Sequence, residues 1–362
     1  MKNIGEGYII NMKSFKDKCS DQIRGSLIGG AAGDALGYTV EFLSLEDIKN
    51  RYSNKGITKY SIDSAEGNAS ISDDTQMSLF TADGILKSGI LKETINCKLN
   101  NNTNSTGKYV YTAYLNWLIT QTGETYNQNG SSRLLEIGEL HVRRAPGITC
   151  LAALGSGIMG SIETPINDSK GGGGVMRVAP IALYFRYPNP CDGAIAAAIT
   201  HGHPLGYMPA AALVQIINRI IYGGCVLGDT LYEIIDECGS VLKELFSGEE
   251  YLDELLNIIN LSVSLSKNND FDTENIARIG EGWVAEEALA IGIYCSLKYY
   301  DDFSAGLIAA VNHDGDSDST GSITGNIIGA HIGYNNIPQE WKTNLQLHDE
   351  ILKIADELYC GQ

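Results

Sequence analysis

The 362-residue chain lacks close cysteine pairs, long apolar runs and an excess of positive charge, and each absence removes a class of function. Its eight cysteines (Cys19, Cys97, Cys150, Cys191, Cys225, Cys238, Cys295 and Cys360) are scattered, with no CxxC among them. A thiolate zinc site needs a tighter pair in at least one half, so these residues read as core filling. No run of about 18 apolar residues occurs, which excludes a membrane-spanning helix. The polar start MKNIGEGYIINMKSFKDKCS has no secretory apolar stretch, and the cytoplasm is the expected compartment. Only 26 Lys and Arg stand against 44 Asp and Glu, a net charge of −18. A nucleic-acid protein needs a basic face, and this chain is not expected to bind nucleic acid. Strand-like alternation is scarce too, with Gly56–Tyr60 the nearest candidate.

What the chain does have is helix. Residues 1–20 are polar and aperiodic and read as a mobile arm; the globular domain is expected over 21–362. Within it Gly25, Gly29, Gly33 and Gly37 recur every fourth position, on one helical face. Gly321, Gly325, Gly329 and Gly333 repeat the pattern near the other end. Each interior glycine costs about 0.5–1 kcal/mol against alanine. Two such stripes therefore predict a buried pair of helices packed backbone to backbone. Further helices are expected at Asp73–Ser88, Tyr111–Ile119, Cys150–Met159, Ala194–Thr200, Met208–Tyr222, Leu231–Phe246, Leu252–Lys267, Val284–Leu297, Phe303–Val311 and Leu345–Leu358. The fold class is all-α, a single large orthogonal bundle.

Four segments carry residues that a bland core does not need. Ser72-Asp73-Asp74-Thr75 begins a helix and suits an N-cap as well as a metal site. Asp314, Asp316 and Asp318 alternate just before a glycine stripe, where one carboxylate suffices as a cap and the others repel unless a cation neutralises them. This is no EF-hand, because the twelfth position from Asp314 is Gly325 where that loop needs glutamate. Gly171-Gly172-Gly173-Gly174 can turn backbone N–H groups toward an anion such as a diphosphate, or form a plain surface loop. His201 and His203, spaced i,i+2, suit hydrogen bonding or stacking as well as they suit metal.

With these motifs in order, the chain resembles the ADP-ribosylglycohydrolase family from about Ile23 to Gly333. The resemblance is carried by GSLIGGAAGDALGYTVEF, ISDDTQMSL, GGGGVMRVAPIAL, ITHGHPLGY, GEGWVAEEALAIGIY and HDGDSDSTGSITGNIIG. It implies a cleft with two Mg²⁺ or Mn²⁺ ions. Ser72, Asp73, Asp74 and Asp318 would bind one ion, and Asp316, Asp318 and Ser319 the other, with Asp318 bridging. Glu41 would lie beside the metals as the candidate base, with Asp73, Asp74 and Asp316 completing the catalytic set. Gly171–Gly174 would hold the diphosphate, while Met176, His201, Tyr207 and Trp283 would belong to the rest of the substrate site.

The resemblance further implies hydrolysis of the N-glycosidic bond between ADP-ribose and a protein side chain. RRAPGITC and the DSDS form of the second metal motif look more like the arginine-specific branch than the serine-specific one. Three alternatives stay open: another ADP-ribose linkage (serine or a small molecule), a two-metal phosphohydrolase, and an immunity-type protein that also blocks a cognate ADP-ribosylating toxin through its N-terminal arm.

Overall fold

The computed structural model describes residues 3–63, 67–92, 104–124, 132–184, 189–223 and 230–361, and their regular structure is helical. Among the described residues, extended pairing is confined to two isolated bridges, Ala69 with Leu345 and Gly171 with Val284. The strand expected at Gly56–Tyr60 does not form, because one side chain takes the place of its partner. Asn312 accepts the Ile57 N–H at 2.8 Å and donates to the Ile57 carbonyl at 2.8 Å. The backbone groups that would have called for a neighbouring strand are thereby satisfied.

The chain runs through α1 (Asn3–Tyr38), α2 (Leu45–Arg51), α3 (Asp73–Lys92), α4 (Asn104–Thr122) and α5 (Ile148–Gly155). It continues with α6 (Ala179–Tyr184), α7 (Cys191–Ala198), α8 (Pro204–Asn218), α9 (Leu231–Leu245) and α10 (Leu252–Leu265). The last five are α11 (Asp272–Ile279), α12 (Ala285–Lys298), α13 (Phe303–Val311), α14 (Ser317–Ile332) and α15 (His348–Cys360). Most fall where periodicity puts them. The final helix starts later than Leu345, because Leu345 is bridged to Ala69 and Leu347 sits in the left-handed region at φ 58°. Residues 3–20, expected as an arm, have helical backbone continuous with the glycine-striped segment, so Asp21 marks no break in secondary structure. No proline interrupts this stretch, and polarity alone does not end a helix. No helix among the described residues is long and apolar enough to cross a membrane.

The two glycine-striped helices pair antiparallel at the centre of the molecule. Gly25 lies against Gly329, Gly29 against Gly325, Gly33 against Gly321 and Gly37 against Ser317. A Cβ at Gly321 would sit 2.5 Å from the Gly33 carbonyl oxygen. The backbones come close enough for short polar side chains to bond across: Gln22 donates to the Ala330 carbonyl at 2.8 Å and Ser26 to the Asn326 carbonyl at 3.0 Å. Helices α12, α13 and α15 pack around this pair, with α3 beside it. The expected central pair is the axis of the fold, and it fixes where the chemistry can assemble.

Candidate metal and ligand site

The carboxylates gather at one end of the glycine seam. Gly37 lets α1 approach α14 so closely that a Cβ there would lie 2.6 Å from the Cα of Asp318. Glu41 follows in the turn after α1, and Asp316 caps α14. Glu41, Asp316 and Asp318 are all buried and offer ligand oxygens within 4.8 Å of one another. Asp314, third of the alternating aspartates, does not join them. It is exposed and accepts the Leu45 N–H at 2.8 Å.

The first acidic motif is tied in by a residue whose role the sequence alone does not show. Asp34, fully buried on α1, accepts the Ser72 N–H at 3.0 and 3.1 Å, the Thr75 N–H at 3.1 Å and the Thr75 hydroxyl. The available signal was its place as the only carboxylate in a run of small and apolar residues. Ser72 serves as the cap of α3, accepting the Asp74 N–H at 3.1 Å. Asp73 turns to the loop before α5 and accepts the Gly147 N–H at 3.1 Å. Asp73 and Asp74 lie outside the three-residue cluster but within its field. Burial pushes Asp34, Glu41, Asp73, Asp74, Asp316 and Asp318 above the usual carboxylate range. The charge on Asp318 is the next cause for Asp34, Glu41 and Asp74, which puts Asp318 at the electrostatic centre. Glu41 Oε2 and Asp74 Oδ2 are buried without hydrogen-bond partners. Crowded, donor-poor carboxylate oxygens are the donor set that hard divalent cations take. The residues therefore fit Mg²⁺ or Mn²⁺.

The tetraglycine loop is adjacent. A Cβ at Gly172 would lie 3.1 Å from Asp316 Oδ2, and one at Gly173 would lie 2.9 Å from Cys150 Sγ. Two of its four amides already have protein partners: Gly171 donates to Ser169 Oγ at 3.4 Å and Gly172 to the Trp283 carbonyl at 3.2 Å. The Gly174 N–H closes the 3-10 turn onto the Gly171 carbonyl as well, so an anion cradle here can draw at most on Gly173. The glycine run answers to close packing as much as to anion binding. Met176 and Ser319 meet across this junction, the serine hydroxyl 3.9 Å from the thioether sulfur.

A family model described as ADP-ribosylglycohydrolase matches residues 16–362. The chain belongs to the ADP-ribosylglycohydrolase family. It is 24% identical over 351 residues to the ADP-ribosyl-[dinitrogen reductase] glycohydrolase of Rhodospirillum rubrum, covering 93% of this chain and 95% of that one. With the ADP-ribosylarginine hydrolase Tri1 of Serratia proteamaculans it shares 23% over 342 residues, covering 94% and 79%. The match to the ADP-ribosylhydrolase ARH3 of Bos taurus is 24% over 211 residues and spans 53% of this chain and 58% of that protein. Among solved structures, an ADP-ribosylglycohydrolase-related protein complex shares the fold at a TM-score of 0.61 and 21% identity, over 95% of this chain and 99% of that one.

The remaining residues expected to frame a ligand divide. His201 lies against the glycine loop, its Nε2 3.5 Å from where a Gly171 Cβ would stand, and its Nδ1 pairs with Thr200 Oγ1 at 2.8 Å. His203 is spent as the cap of α8, accepting the Leu205 N–H at 3.0 Å, and its ring meets Tyr251. Tyr207 directs its hydroxyl to Glu249 at 3.5 Å and its ring to Phe246, so its contacts face α9 and the turn after it. Trp283 is 41% exposed and stacks on Phe42, the neighbour of Glu41. Arg177 is a further residue that sequence reasoning missed. Fully buried, it donates to Cys150 Sγ at 3.3 Å, Thr200 Oγ1 at 2.7 Å and the Ala196 carbonyl at 3.1 Å, over the Tyr114 ring at 4.2 Å. A lone arginine inside VMRVAPIAL was its signal.

Burial, and then the Arg177 charge, push His201 from 6.5 down to about 3. The unfolded chain thus takes up a proton that the folded one refuses. This contribution to stability is complete above pH 6.5 and is lost as pH falls from 6.5 toward 3. Between pH 6.5 and 5 the loss amounts to about 2 kcal/mol. His201→Gln should remove that part of the slope; urea melts across the range will read it, and an unchanged slope would refute the buried neutral imidazole.

Proposed function

We propose that this chain is a metal-dependent hydrolase that cleaves the N-glycosidic bond between ADP-ribose and an arginine side chain of a modified protein. The observation that carries the reading is the buried cluster of Glu41, Asp316 and Asp318, with oxygens within 4.8 Å of one another, in a chain of the ADP-ribosylglycohydrolase family. The arginine linkage is supported by a relative named for it, which aligns over 94% of this chain.

Glu41, Asp316, Asp318 and the Ser72-Asp73-Asp74 turn would hold two Mg²⁺ or Mn²⁺ ions, which supply Lewis acidity to ribose hydroxyls and to a water. The chain's own groups do the rest. Glu41, with one oxygen free of protein partners, takes a proton from the water whose oxygen bonds to the ribose anomeric carbon. The carbon–nitrogen bond breaks with oxocarbenium character, and the arginine guanidine leaves with that bond's electrons and receives the proton Glu41 has taken. The buried aspartates keep that developing positive charge in a field of their own sign. Gly173 faces the diphosphate, neutral His201 supports its loop from behind, and Trp283 with Phe42 forms an aromatic wall at the lip.

The test is incubation of the protein with arginine-linked and serine-linked ADP-ribosyl proteins, with and without Mg²⁺. Release of free ADP-ribose from the arginine substrate, abolished by chelation, is expected. Release only from the serine substrate moves the assignment to that linkage. Phosphate as the product would overturn it.

A further inference from the structure

The motif GEGWVAEEALA contributes more than Trp283. Residues 280–283 form a loop bent by positive φ at Gly280 (153°) and Gly282 (81°). Two of its carbonyls face the two halves of the site. The Glu281 carbonyl accepts the Asp316 N–H at 2.9 Å, and the Trp283 carbonyl accepts the Gly172 N–H at 3.2 Å. The loop is held from the other side by one carboxylate oxygen. Glu287 Oε2 accepts the Glu281 N–H at 3.0 Å and the Gly282 N–H at 3.1 Å. The Glu281 carbonyl and the Gly282 N–H belong to a single planar trans peptide and point in opposite directions. Holding that N–H therefore aims that carbonyl at Asp316. The adjacent Glu286 pairs with Lys170, the residue before the tetraglycine, and the Lys170 carbonyl accepts the Ala285 N–H at 2.8 Å. The first turn of α12 thus grips both loops with neighbouring carboxylates pointing different ways.

We propose that Glu287 is a positioning residue that couples the tetraglycine loop to the Asp316 turn, so that cation binding and ADP-ribose binding share one support. This rests on the proposed function for the identity of the two ligands. What Glu287 supplies is an acceptor at a fixed reach, and its charge is secondary.

Two variants separate reach from charge. Glu287→Asp keeps the charge but withdraws the carboxylate by one bond, about 1.5 Å. Glu287→Gln keeps the reach and offers one carbonyl oxygen to the same two N–H groups. Titration with Mn²⁺ alone and with ADP-ribose alone should show both affinities falling in the Asp variant, on the order of ten- to a hundredfold, as for other residues that orient a metal's ligands. The Gln variant should stay near wild type for both. Hydrogen exchange at peptides containing Gly172 and Asp316 should speed up together in the Asp variant only. The coupling is refuted if the Asp variant binds both ligands normally, if only one affinity falls, or if Gln loses as much as Asp. Should the wild-type protein bind neither probe, the functional reading fails, and the exchange data alone then decide the coupling.

Discussion

Asp318→Ala is expected to reduce release of ADP-ribose by roughly a thousandfold or more while leaving the helical fold intact. The size follows from what the position serves. Divalent cations in such sites contribute several kcal/mol of transition-state stabilisation, and about 4 kcal/mol corresponds to three orders of magnitude. The charge of Asp318 is the next cause after burial for three of its neighbours, Asp34, Glu41 and Asp74. Its removal takes away the group that Glu41 and Asp316 share. The accompanying readout is thermal. A cation at a hundred times its Kd stabilises the folded chain by about 2.7 kcal/mol, and that rise in Tm should vanish in the variant. Asp314→Ala supplies the contrast: Asp314 is exposed and holds only the Leu45 N–H. Its loss should change turnover by no more than about twofold. Wild-type turnover in Asp318→Ala, or a metal-dependent Tm rise that survives there, would rule the cluster out as the metal centre.

That contrast marks what the sequence could and could not yield. Asp314, Asp316 and Asp318 look alike in a string, since alternation alone does not say which carboxylates turn inward. The cap of α14 decides it: Asp316 accepts the Ser319 N–H at 3.3 Å and Asp318 accepts it at 3.0 Å, while Asp314 precedes Gly315, at φ 130°. The glycine stripes were legible because their cost in helix propensity needs an explanation, and backbone contact is a local one. The role of Asp34 was not legible, because its partners Ser72 and Thr75 lie about forty positions away. Nor was Glu287, whose two bonds serve a loop with no periodicity to read. In the string the glycine run suits an anion cradle or a plain loop equally; its steric role appears only once Asp316 and Cys150 stand against it.

Gly33→Ala should strongly destabilise the protein, by about 2–4 kcal/mol net, against the usual sign for this substitution in a helix. Propensity alone favours alanine by about 0.5–1 kcal/mol. The opposing term is larger, because a Cβ at Gly33 would overlap the Gly321 carbonyl, which is backbone and has no rotamer to change. The two helices would have to separate. Overpacking costs about 1–3 kcal/mol on its own. Separation also stretches the Gln22 and Ser26 bonds to the opposite backbone, each worth about 1 kcal/mol. Set against a total stability of about 5–15 kcal/mol, that loss is severe. Gly37→Ala probes the same seam at its functional end, where the added methyl meets the Cα of Asp318 at 2.6 Å. The seam has little left to unzip beyond this point, so stability should suffer less. Activity should suffer more, since a displacement of about 1 Å in a reacting group can cost a hundredfold. Melting curves and Mn²⁺ titration of the two variants will separate the effects: Gly33→Ala lowers Tm most, and Gly37→Ala weakens the metal first. A Gly33→Ala protein that melts at or above wild type would mean that the backbones do not touch, and the account of how the site assembles would fall with it.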